Sequence, residues 1–539
     1  MWTQTIDPTG QLWLSALIAV IPIVVFLLCL TVFKLTGLVA GAIATVLQII
    51  VAVWVFGMPV GSVLGAGLYG ILTAVWPIAF IIVMAVWLYK IAVASGRFDV
   101  IRTSISGISP DQRIQVILIA FCFGAFLEGA AGFGVPIAIC AALLVQLGFG
   151  AIKAAMLCLI ANVAAGAYGA IGIPVIVGAQ VGEVPLAGLT FDMVIVLQWL
   201  TFVVPFILVI ILDGWRGIRE TWPLLIVTSL AYSAAQAGIL IFLGPELADI
   251  VPGLVGMVAV FLVGRVWQPK RIYREDGGAV PPPIKQDFGD VVVAWSPFYI
   301  LSGVIFAWSV PWFKDLFAEG GALSGLVFAV PIPGITGVVV PDGASEPLAT
   351  SWAFTPINAT GTAILLAVLL TFWTTPQVRA RHLWEQLGAT VKDLWRPIIL
   401  IALVLIIADI ANFSGGSATI ANALTAVGVV FPLLAPVIGW FGVFITGSVV
   451  NNNTLFAHLQ TVTAGNIGVD STLLVAANTA GGTVAKVVSP QSIAIAAGAV
   501  GLTGREGEIL RASIGYSLAM LAVVCGWVFL LSLVMPGAA

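Results

Sequence analysis

The amino-acid sequence predicts an all-α polytopic membrane protein with about 11–14 transmembrane helices and two inverted repeats that contain broken helices and re-entrant hairpins. Composition is the first observation behind this prediction, because the 539 residues are 61% hydrophobic and only 8% charged, with a mean hydropathy of +1.15. Soluble domains carry roughly 25% charged residues. The second observation is a series of apolar windows of about 20 residues, the length that crosses a bilayer. The third is a pair of Gly/Pro-interrupted stretches, one in each half of the chain.

The alternation of charged loops predicts the topology. Basic clusters are expected in the cytoplasm by the positive-inside rule, and the acidic or neutral turns between them outside. The basic clusters are Lys34, Lys90–Arg113, Arg216–Arg219, Arg265–Lys285, Arg379–Arg396 and Arg505–Arg511. The outside turns are Met1–Gln11, Gly57–Ser62, Gln180–Asp192, Gly244–Pro252 and Pro311–Pro347. This places the N-terminus outside, and the first apolar window, which lacks a basic flank, is predicted to be a retained helix.

A polar stretch rich in proline divides the chain. Residues 268–290 include Pro281, Pro282 and Pro283 and are predicted to be a cytoplasmic linker. Residues 1–267 then form an N-terminal membrane half with a repeat core at 114–180. Residues 291–539 form a C-terminal half with a repeat core at 417–500.

Two interrupted stretches, Gly124–Pro174 and Gly442–Pro490, carry the repeat. They share G-x-F-x-x-G at Gly124–Gly129 and Gly442–Gly447, and A-N-x-A-x-G at Ala161–Gly166 and Ala477–Gly482. The asparagine lies 38 residues after the first glycine in one copy (162 − 124) and 36 in the other (478 − 442), and a proline follows 12 residues later in both. Paired interrupted segments of this kind indicate the midplane site of a transporter.

The predicted topology also gives the two copies a direction. The first copy follows Arg113, inside, and leads to Glu183, outside. The second follows Asn412–Ser417, outside, and leads to Arg505, inside. The copies therefore run in opposite directions, provided that a single crossing joins Arg396 to Asn412.

Glu128 is the leading candidate for proton coupling. A carboxylate at the centre of a membrane helix costs roughly 2.5–3.5 kcal/mol, so its presence there indicates function. The residues after it offer unpaired backbone N–H groups that could bind an anion, namely Gly129, Gly132, Phe133 and Gly134. The alternative is that Glu128 neutralises a buried Lys or Arg.

The corresponding element of the second copy is rich in amides. Asn451, Asn452, Asn453 and Thr454 are costly in lipid but suit the tip of a re-entrant hairpin that faces water and substrate. The alternative is an ordinary surface loop.

Further polar residues follow in both copies. Asn162 and Asn478 offer one amide from each repeat, and Ser489, Gln491 and Ser492 come shortly after Lys486. Lys486 is interpreted either as a partner for an organic carboxylate, or as a lysine that reaches to the cytoplasmic face or pairs with Glu128 or Asp409. Asp409 and His458 are candidate proton relays, or else packing residues.

Other classes of site are not expected. The five cysteines lie inside apolar runs without metal-ligand spacing, so neither a metal nor a disulfide is predicted. We expect no cofactor. The net charge of −3 and the lack of a long basic run argue against nucleic acid as a partner, leaving a small molecule, a proton and the lipid bilayer.

At these residues the sequence resembles the lactate permease family over nearly its whole length. The matching pieces are PDQR (Pro110–Arg113), FCFGAFLEGAAGFGVP (Phe121–Pro136), DGWRGIRETWP (Asp213–Pro223), GPELADI (Gly244–Ile250), NATGTAIL (Asn358–Leu365), LLVAANTAGG (Leu473–Gly482) and SPQSIAIA (Ser489–Ala496). The resemblance implies a proton-coupled symporter for L-lactate, D-lactate and glycolate in a bacterial inner membrane. It also implies kinship with ion transporters that use inverted repeats.

Two departures from the family pattern leave the substrate and coupling ion open. The family usually has an acidic residue after the position of Ser448, where this chain has Val449 and Val450. Asp409 stands where an apolar residue is expected.

The leading hypothesis is that the substrate carboxylate binds between Gly129–Gly134 and Asn451–Thr454, while Asn162, Asn478 and Ser489–Ser492 contact the hydroxyl. Proton coupling is favoured because moving one anion inward against 100 mV costs about 2.3 kcal/mol, which an accompanying proton removes. The alternatives are a Na⁺-coupled carboxylate transporter, a membrane-embedded enzyme and a passive anion channel. The enzyme is disfavoured because neither H-E-x-x-H nor a nucleophile motif is present in the sequence.

Overall fold

The computed structural model describes residues 1–106, 109–132, 134–275, 287–318, 320–375 and 378–535, and 77% of the chain is helical. The helices of the N-terminal half are α1 Leu12–Thr31, α2 Gly37–Ile50, α3 Val60–Thr73, α4 Phe80–Ala94, α5 Arg97–Ser106, α6 Gln112–Val116, α7 Gly124–Ala130, α8 Val135–Gln146, α9 Ala151–Ala161, α10 Val163–Gly166, α11 Ile173–Gly182, α12 Leu186–Phe242 and α13 Ile250–Val266. Short π-helical segments at Val51–Val55, Ala74–Ala79 and Ile117–Phe123 extend α2, α3 and α6.

The C-terminal half continues in the same manner. Its helices are α14 Phe288–Ala294, α15 Ser296–Ser309, α16 Pro311–Asp315, α17 Thr360–Trp373, α18 Ala380–Ser414, α19 Gly416–Thr425, α20 Phe431–Thr446, α21 Val449–Ile467, α22 Ser471–Ala485, α23 Pro490–Ala499 and α24 Glu506–Val534. Short 3₁₀ turns lie at Ala170–Gly172, Ser324–Leu326 and Gly428–Val430.

Within the described ranges, nine helical segments are long and apolar enough to cross a membrane, and four shorter helices are also apolar. The longest, α12, has 57 residues and would measure about 86 Å if straight, far more than the roughly 30 Å hydrocarbon core. Its helix is interrupted at Asp213 and at Gly214, where φ is 60°. Because of its length and this break, α12 is expected to cross the membrane twice, once on each side of Gly214. The polytopic helical fold is confirmed, and the exact number of crossings stays a prediction.

Four short strands form two small sheets that the sequence did not predict. Strand β1 (Trp2–Thr3) pairs in parallel with β3 (Val339–Val340), and β2 (Phe328–Pro331) pairs antiparallel with β4 (Ser351–Phe354). The first sheet ties the N-terminus to the long segment 311–347. Both were predicted to lie outside, and the pairing puts them on the same face of the protein.

The segments that were predicted to lie inside also meet on one face. The Arg113 side chain is fully buried and binds Asp111, Asp213 and Glu220 at 2.7–2.8 Å. Lys90 pairs with Asp393 in α18. Arg271 also pairs with Asp213 and Glu220. Three predicted cytoplasmic segments therefore gather around one buried arginine, and a fourth is tied to the end of α4. Which face is cytoplasmic stays a prediction.

The described start of the predicted linker, residues 268–275, crosses this face and is held to it by hydrogen bonds and an ion pair; we call it the strap. Arg113 Nη2 donates to the Arg271 carbonyl at 2.7 Å, and the Tyr273 backbone N–H donates to Asp111 Oδ2 at 3.1 Å. Glu275 pairs with Lys153 at the start of α9. Residues 276–286, with the three prolines, lie outside the described residues, so the boundary between the halves stays a prediction.

The two interrupted stretches have the same order of elements. In the first, a helix ends at α7, the chain breaks, α8 follows, a turn leads to α9–α10, and a second break precedes α11. In the second, α20 ends, the chain breaks, α21 follows, a turn leads to α22, and a second break precedes α23. The breaks fall near Gly134, Gly169, Gly447 and Lys486. Cys140 in α8 folds back to donate to the Ile119 carbonyl at 3.1 Å, and Gln460 in α21 to the Ala435 carbonyl at 3.4 Å. Each stretch therefore contains one helical hairpin, with its tip at the first break, and one helix interrupted at the second break.

The broken helices also pack reciprocally. Helix α8, after the first break of the first stretch, contacts α23, which follows the second break of the second stretch. Helix α11 contacts α21 in the same exchanged manner. This exchange brings the four breaks together in the interior.

Candidate functional site

A cavity of 80 Å³ lies where the breaks meet. Its lining includes residues from both stretches, among them Glu128, Gly134, Gly166, Gly169, Pro174, Gly447, Ser448, Val449, Val450, Lys486, Gln491 and Ser492. Glu128 and Lys486 are the charged side chains among the described lining residues. The cavity is therefore built from the interrupted backbone that the sequence singled out, and it contains one charge of each sign.

The two charges bind each other. Lys486 Nζ donates to Glu128 Oε1 at 2.7 Å, and Asn162 Nδ2 donates to Glu128 Oε2 at 2.9 Å. The side chain of Glu128 is 2% exposed and that of Lys486 is 11% exposed. Both carboxylate oxygens are thus satisfied by one residue from each stretch. Of the alternatives for Glu128 and Lys486, pairing with each other is the one found in this structure.

Local sequence explains how these side chains reach the cavity. Glu128 lies in the last turns of α7, before a break that ends at Gly134, whose φ of 84° favours glycine. Lys486 follows the last residue of α22. A Cβ at Gly166 would lie 3.0 Å from Lys486 Cδ, so the missing side chain leaves room for the lysine. Small residues let the two charged groups approach.

Helix α23 begins at the cavity. Ser489 is its N-cap, and its hydroxyl accepts from the Ser492 backbone N–H at 3.2 Å and lies 2.8 Å from the Ser492 hydroxyl. Gln491 and Ser492 line the cavity. A Cβ at Gly447 would lie 2.3 Å from Gln491 Oε1, so the tip of the second stretch packs directly on this helix start. The N-terminal end of α23 therefore offers polar groups to an anion in the cavity.

Asn453 and Asn478 form a separate buried network. Asn453 Nδ2 donates to the Pro174 carbonyl at 2.8 Å and to Thr479 Oγ1 at 2.9 Å, and Asn453 Oδ1 accepts from Asn478 Nδ2 at 3.0 Å. Gln460 Nε2 lies 3.4 Å from Asn478 Oδ1. The four side chains lie beside the cavity without lining it, whereas Pro174 is one of the lining residues. They connect α21 and α22 to the second break of the first stretch.

The remaining residues of the amide run lie in a helix. Asn451, Asn452 and Thr454 belong to the first turns of α21, and Gly447 and Ser448 form the hairpin tip instead. All three are buried, which excludes the surface-loop interpretation. Asn451 faces a neighbouring cavity of 490 Å³, which Gln491 also lines. Thr454 Oγ1 donates to a carbonyl of its own helix at 2.9 Å.

The glycines after Glu128 have different positions. Gly134 lines the cavity. Gly129 instead packs against residue 249, since an added Cβ would lie 2.9 Å from Asp249 Cβ. Gly132 packs against Ala170, with an added Cβ 2.9 Å from the alanine Cβ. Phe133 lies outside the described residues.

Asp409 and His458 lie away from the cavity. Asp409 is 6% exposed in α18, and its Oδ2 has no hydrogen-bond partner among the described residues. His458 lies in α21 with its Nδ1 likewise unpartnered within that part of the chain. Both are close enough to Glu183, at the end of α11, for the charges to interact. Their part in proton movement stays a prediction.

Sequence reasoning missed several residues near the site. Asp249 packs against Gly129, the residue after Glu128, and Thr483 Oγ1 in α22 donates to the Val163 carbonyl at 3.0 Å. The signal for Asp249 was present in GPELADI, but that segment was interpreted as an outside turn and as one piece of the family resemblance, and no role was assigned to its acids. Among the described residues, no group of three or more His, Cys, Asp or Glu side chains could hold a metal ion.

A family model described as L-lactate permease matches residues 15–535. The chain belongs to the L-lactate permease family. It is 48% identical to the L-lactate permease of Halalkalibacterium halodurans, over 99% of this chain and 100% of that protein. It is 45% identical to the L-lactate permease of Escherichia coli K12, over 97% of each chain. The sequence-based family assignment is therefore confirmed.

A differently named relative belongs to the same group. The glycolate permease GlcA of Escherichia coli K12 is 42% identical, over 97% of this chain and 96% of that protein. Among solved structures, the YdaH transporter of Alcanivorax borkumensis is similar at a TM-score of 0.46 and 15% identity, over 86% of each chain. That likeness is too distant to inform the mechanism. In this member of the family, the cavity with its Glu128–Lys486 pair is the candidate transport site.

Proposed function

We propose that this protein imports L-lactate, and also D-lactate, glycolate and similar 2-hydroxy monocarboxylates, by proton symport through alternating access. The relatives are named L-lactate and glycolate permeases, which supports this substrate class. The observation that carries the proposal is the buried Glu128–Lys486 pair in a cavity between broken helices. We expect the substrate to be released chemically unchanged.

The pair explains why an anion and a proton would move together. In the empty carrier the carboxylate and the ammonium cancel, so the site has no net charge. If a substrate carboxylate takes the place of Glu128 at Lys486, one negative charge is added. Protonation of Glu128 removes it. The empty site and the fully loaded site are then both neutral, whereas anion binding alone would leave an uncompensated charge in the interior, which is costly.

The polar groups around the pair suit a 2-hydroxy acid. The substrate carboxylate would accept from Lys486 and from groups at the start of α23, including Ser492. Asn162 Oδ1 is buried without a hydrogen-bond partner among the described residues, next to the amide nitrogen that binds Glu128. The substrate hydroxyl would donate to this oxygen. An unmet acceptor favours a ligand that carries a donor at this position.

Two observations support the inverted orientation of the repeats. The first stretch starts at the face of Arg113 and the strap, and Leu502 and Arg505, after the second stretch, share a cavity with Arg274 and Glu275 on that same face. A single continuous helix, α18, runs from Asp393 on that face to Asn412, whose carbonyl accepts from Gln4. The second stretch therefore starts at the opposite face. Antiparallel repeats with paired breaks are the usual basis of alternating access.

The family and the apolar helices support a multi-pass protein of a bacterial inner membrane. The pairing of β1 with β3 agrees with an N-terminus outside, on the same side as segment 311–347. The buried arginine cluster agrees with a cytoplasmic linker.

The decisive test uses purified protein in liposomes, radiolabelled L-lactate and an imposed pH gradient, acid outside. We expect accumulation that a protonophore abolishes and that D-lactate and glycolate reduce by competition. Accumulation that instead requires a Na⁺ gradient would establish the Na⁺-coupled alternative. Equilibration without accumulation would indicate a passive channel, and both results would refute proton symport.

A further inference from the structure

Asp249 is a second buried carboxyl group beside the transport site. It precedes α13 and is 2% exposed. An added Cβ on Gly129, the residue after Glu128, would lie 2.9 Å from Asp249 Cβ. The two acids are close enough for their charges to interact, and Lys486 is also within that range. Asp249 does not line the cavity and instead packs against Gly129.

The carboxyl group of Asp249 and the tyrosine hydroxyls near it make few hydrogen bonds within the described residues. Its Oδ2 has no hydrogen-bond partner in the described part of the chain, and the amide of Gln236 lies 3.5 Å from Oδ1. The hydroxyl groups of Tyr168 and Tyr232, both fully buried nearby, also lack partners there. An ionised carboxylate in such surroundings is costly, so the group is expected to hold a proton while the Glu128–Lys486 pair is formed.

A third acidic residue, Glu246, lies closer to the protein surface than Asp249. Glu246 lies three residues before Asp249 in a helical turn, in which the Ala248 N–H donates to the Pro245 carbonyl at 3.2 Å. Residues three apart in such a turn are neighbours. Glu246 is partly exposed as a residue; its Oε1 accepts from the Thr360 hydroxyl at 3.5 Å, and its buried Oε2 is unpartnered among the described residues. It belongs to the segment 244–252 that the sequence places outside. Glu246 thus lies one turn before Asp249 on the side of the predicted outer face, and Asp249 in turn lies beside Gly129 and Glu128.

We propose that Asp249 relays the coupled proton between the outer face at Glu246 and Glu128. This inference rests on the proposed function. It assigns the proton a route separate from that of the substrate, which would occupy the cavity side of Glu128. The titratable and charged groups that face Asp249 are Glu128 from α7, Tyr168 after α10, Tyr232 from α12 and Lys486 after α22, and Cys122 from the π-helical segment faces Tyr232.

The step balances as a simple proton transfer. When the substrate carboxylate takes Lys486, the Asp249 carboxyl group gives its proton to the Glu128 carboxylate. Asp249 is left ionised and takes a proton from water at the outer face, by way of Glu246. One substrate anion and one proton have then entered, and the site is again neutral. On the inner side Glu128 loses its proton after the substrate leaves.

The experiment compares two transport modes of the full-length protein in liposomes. Net uptake of radiolabelled L-lactate driven by a pH gradient requires proton movement at every cycle. Exchange of internal for external lactate at equal pH keeps the site loaded and does not require it. For Asp249→Asn we expect net uptake to fall by about 100-fold, a typical contribution of a proton-transfer group, while exchange and the KM for lactate are retained. The residual net uptake should no longer rise as the outside is acidified.

Two further variants make the comparison sharp. Asp192→Asn is the matched control, because Asp192 is also a buried aspartate, accepts from the Thr472 hydroxyl and lies outside the route. It should leave both modes unchanged. Asp249→Glu, which keeps a titratable group, should recover much of the net uptake. If Asp249→Asn does not fold, the dependence of net uptake on outside pH is measured for Asp249→Glu and Glu246→Gln instead. A changed dependence in either variant supports the relay, and a wild-type dependence in both overturns it.

The outcomes separate the relay from the function on which it rests. Wild-type net uptake by Asp249→Asn, or an equal loss of uptake and exchange in a folded protein, would overturn the relay. If the wild-type protein itself shows no proton-driven uptake, the proposed function fails instead.

Discussion

Replacing Glu128 by glutamine tests the neutral-site mechanism most directly. The substitution keeps the size of the side chain and an acceptor oxygen, but it removes the negative charge that lies 2.7 Å from Lys486. In the loaded carrier, the substrate carboxylate still neutralises the lysine. In the empty carrier the lysine is left without a counter-charge. The loaded protein should therefore change conformation normally, whereas the empty protein should not.

The expected magnitude follows from the burial of the pair. With side-chain exposures of only 2% and 11%, solvent screens the pair weakly. Removing one partner of a buried pair typically costs about 3–5 kcal/mol, which corresponds to a factor of about 100 to 4,000 in the population of the crossing empty carrier. Net uptake should fall by such a factor, and exchange should remain close to that of the wild type.

The assay measures both modes in the same liposomes, with purified protein quantified after reconstitution. Glu346→Gln is the control, since Glu346 is exposed in the segment between α16 and α17. Accumulation of lactate against a gradient by Glu128→Gln at the wild-type rate would refute the assignment of Glu128. Loss of exchange together with net uptake would refute the neutral-site argument, because it would give Glu128 a role in substrate binding.

Three further predictions concern the other charges and the packing. Lys486→Gln should abolish both uptake and exchange, because the cation that would bind the substrate is lost; binding of radiolabelled lactate to the purified protein measures this. Gly439→Ala should lower the midpoint of thermal unfolding in detergent, since the added Cβ would lie 1.9 Å from a backbone oxygen of α22 and such overpacking costs about 1–3 kcal/mol. The control Gly238→Ala, whose added Cβ would have no atom within 4 Å, should leave the midpoint unchanged. Arg113→Gln should destabilise the protein by about 3–5 kcal/mol, because three carboxylates lose their buried cation. The control Arg381→Gln removes an arginine that is 86% exposed and should change stability by less than about 1 kcal/mol. Unfolding in detergent compares the two variants.

The positions of the breaks could be predicted from the sequence. Proline and positive-φ glycine interrupt a helix by local geometry, and the breaks before Pro174 and Pro490 fall where the repeat placed them. An unpaired backbone is tolerated at membrane depth only where it is buried in protein or lines a polar cavity, and the breaks surround a cavity. The apolar helices themselves follow from composition. Helix breaks and apolar helices are set by residues that are close together in the sequence, which is why the sequence alone predicts them.

The pairing of side chains could not be predicted in the same way. Lys486 had several possible partners, and the choice of Glu128 depends on packing of α22 against α10 and on the space left by Gly166. The amide run is another example. Consecutive asparagines are costly in lipid, so Asn453 was placed at a hairpin tip that faces water, yet its hydrogen bonds to α22 and to Pro174 satisfy it inside α21. Tertiary contacts overrode local preference.

Residues that act through distant contacts were the hardest to find. Asp249 lies 121 positions from Glu128 along the chain (249 − 128), and its turn looked like any other acidic outside loop. Arg113 appeared as one member of a basic cluster, and only the fold surrounds it with acids from α12 and with the strap. A sequence shows which residues are unusual in a membrane, but their partners come from the packing.

The two interpretations of Lys486 that the sequence left open belong to one cycle. A lysine that pairs only with Glu128 would be a structural ion pair, and a buried pair of that kind is often no more stable than apolar residues of the same size. A lysine that pairs only with the substrate would leave an unmatched charge in the empty carrier. Alternation between the two partners avoids both problems, since the lysine always has one carboxylate and the displaced Glu128 takes a proton. The cavity lining agrees with this use, because among its described residues the charge of Lys486 is balanced by Glu128 alone. A neutral site in every crossing state is therefore the physical reason to expect one proton for each substrate anion.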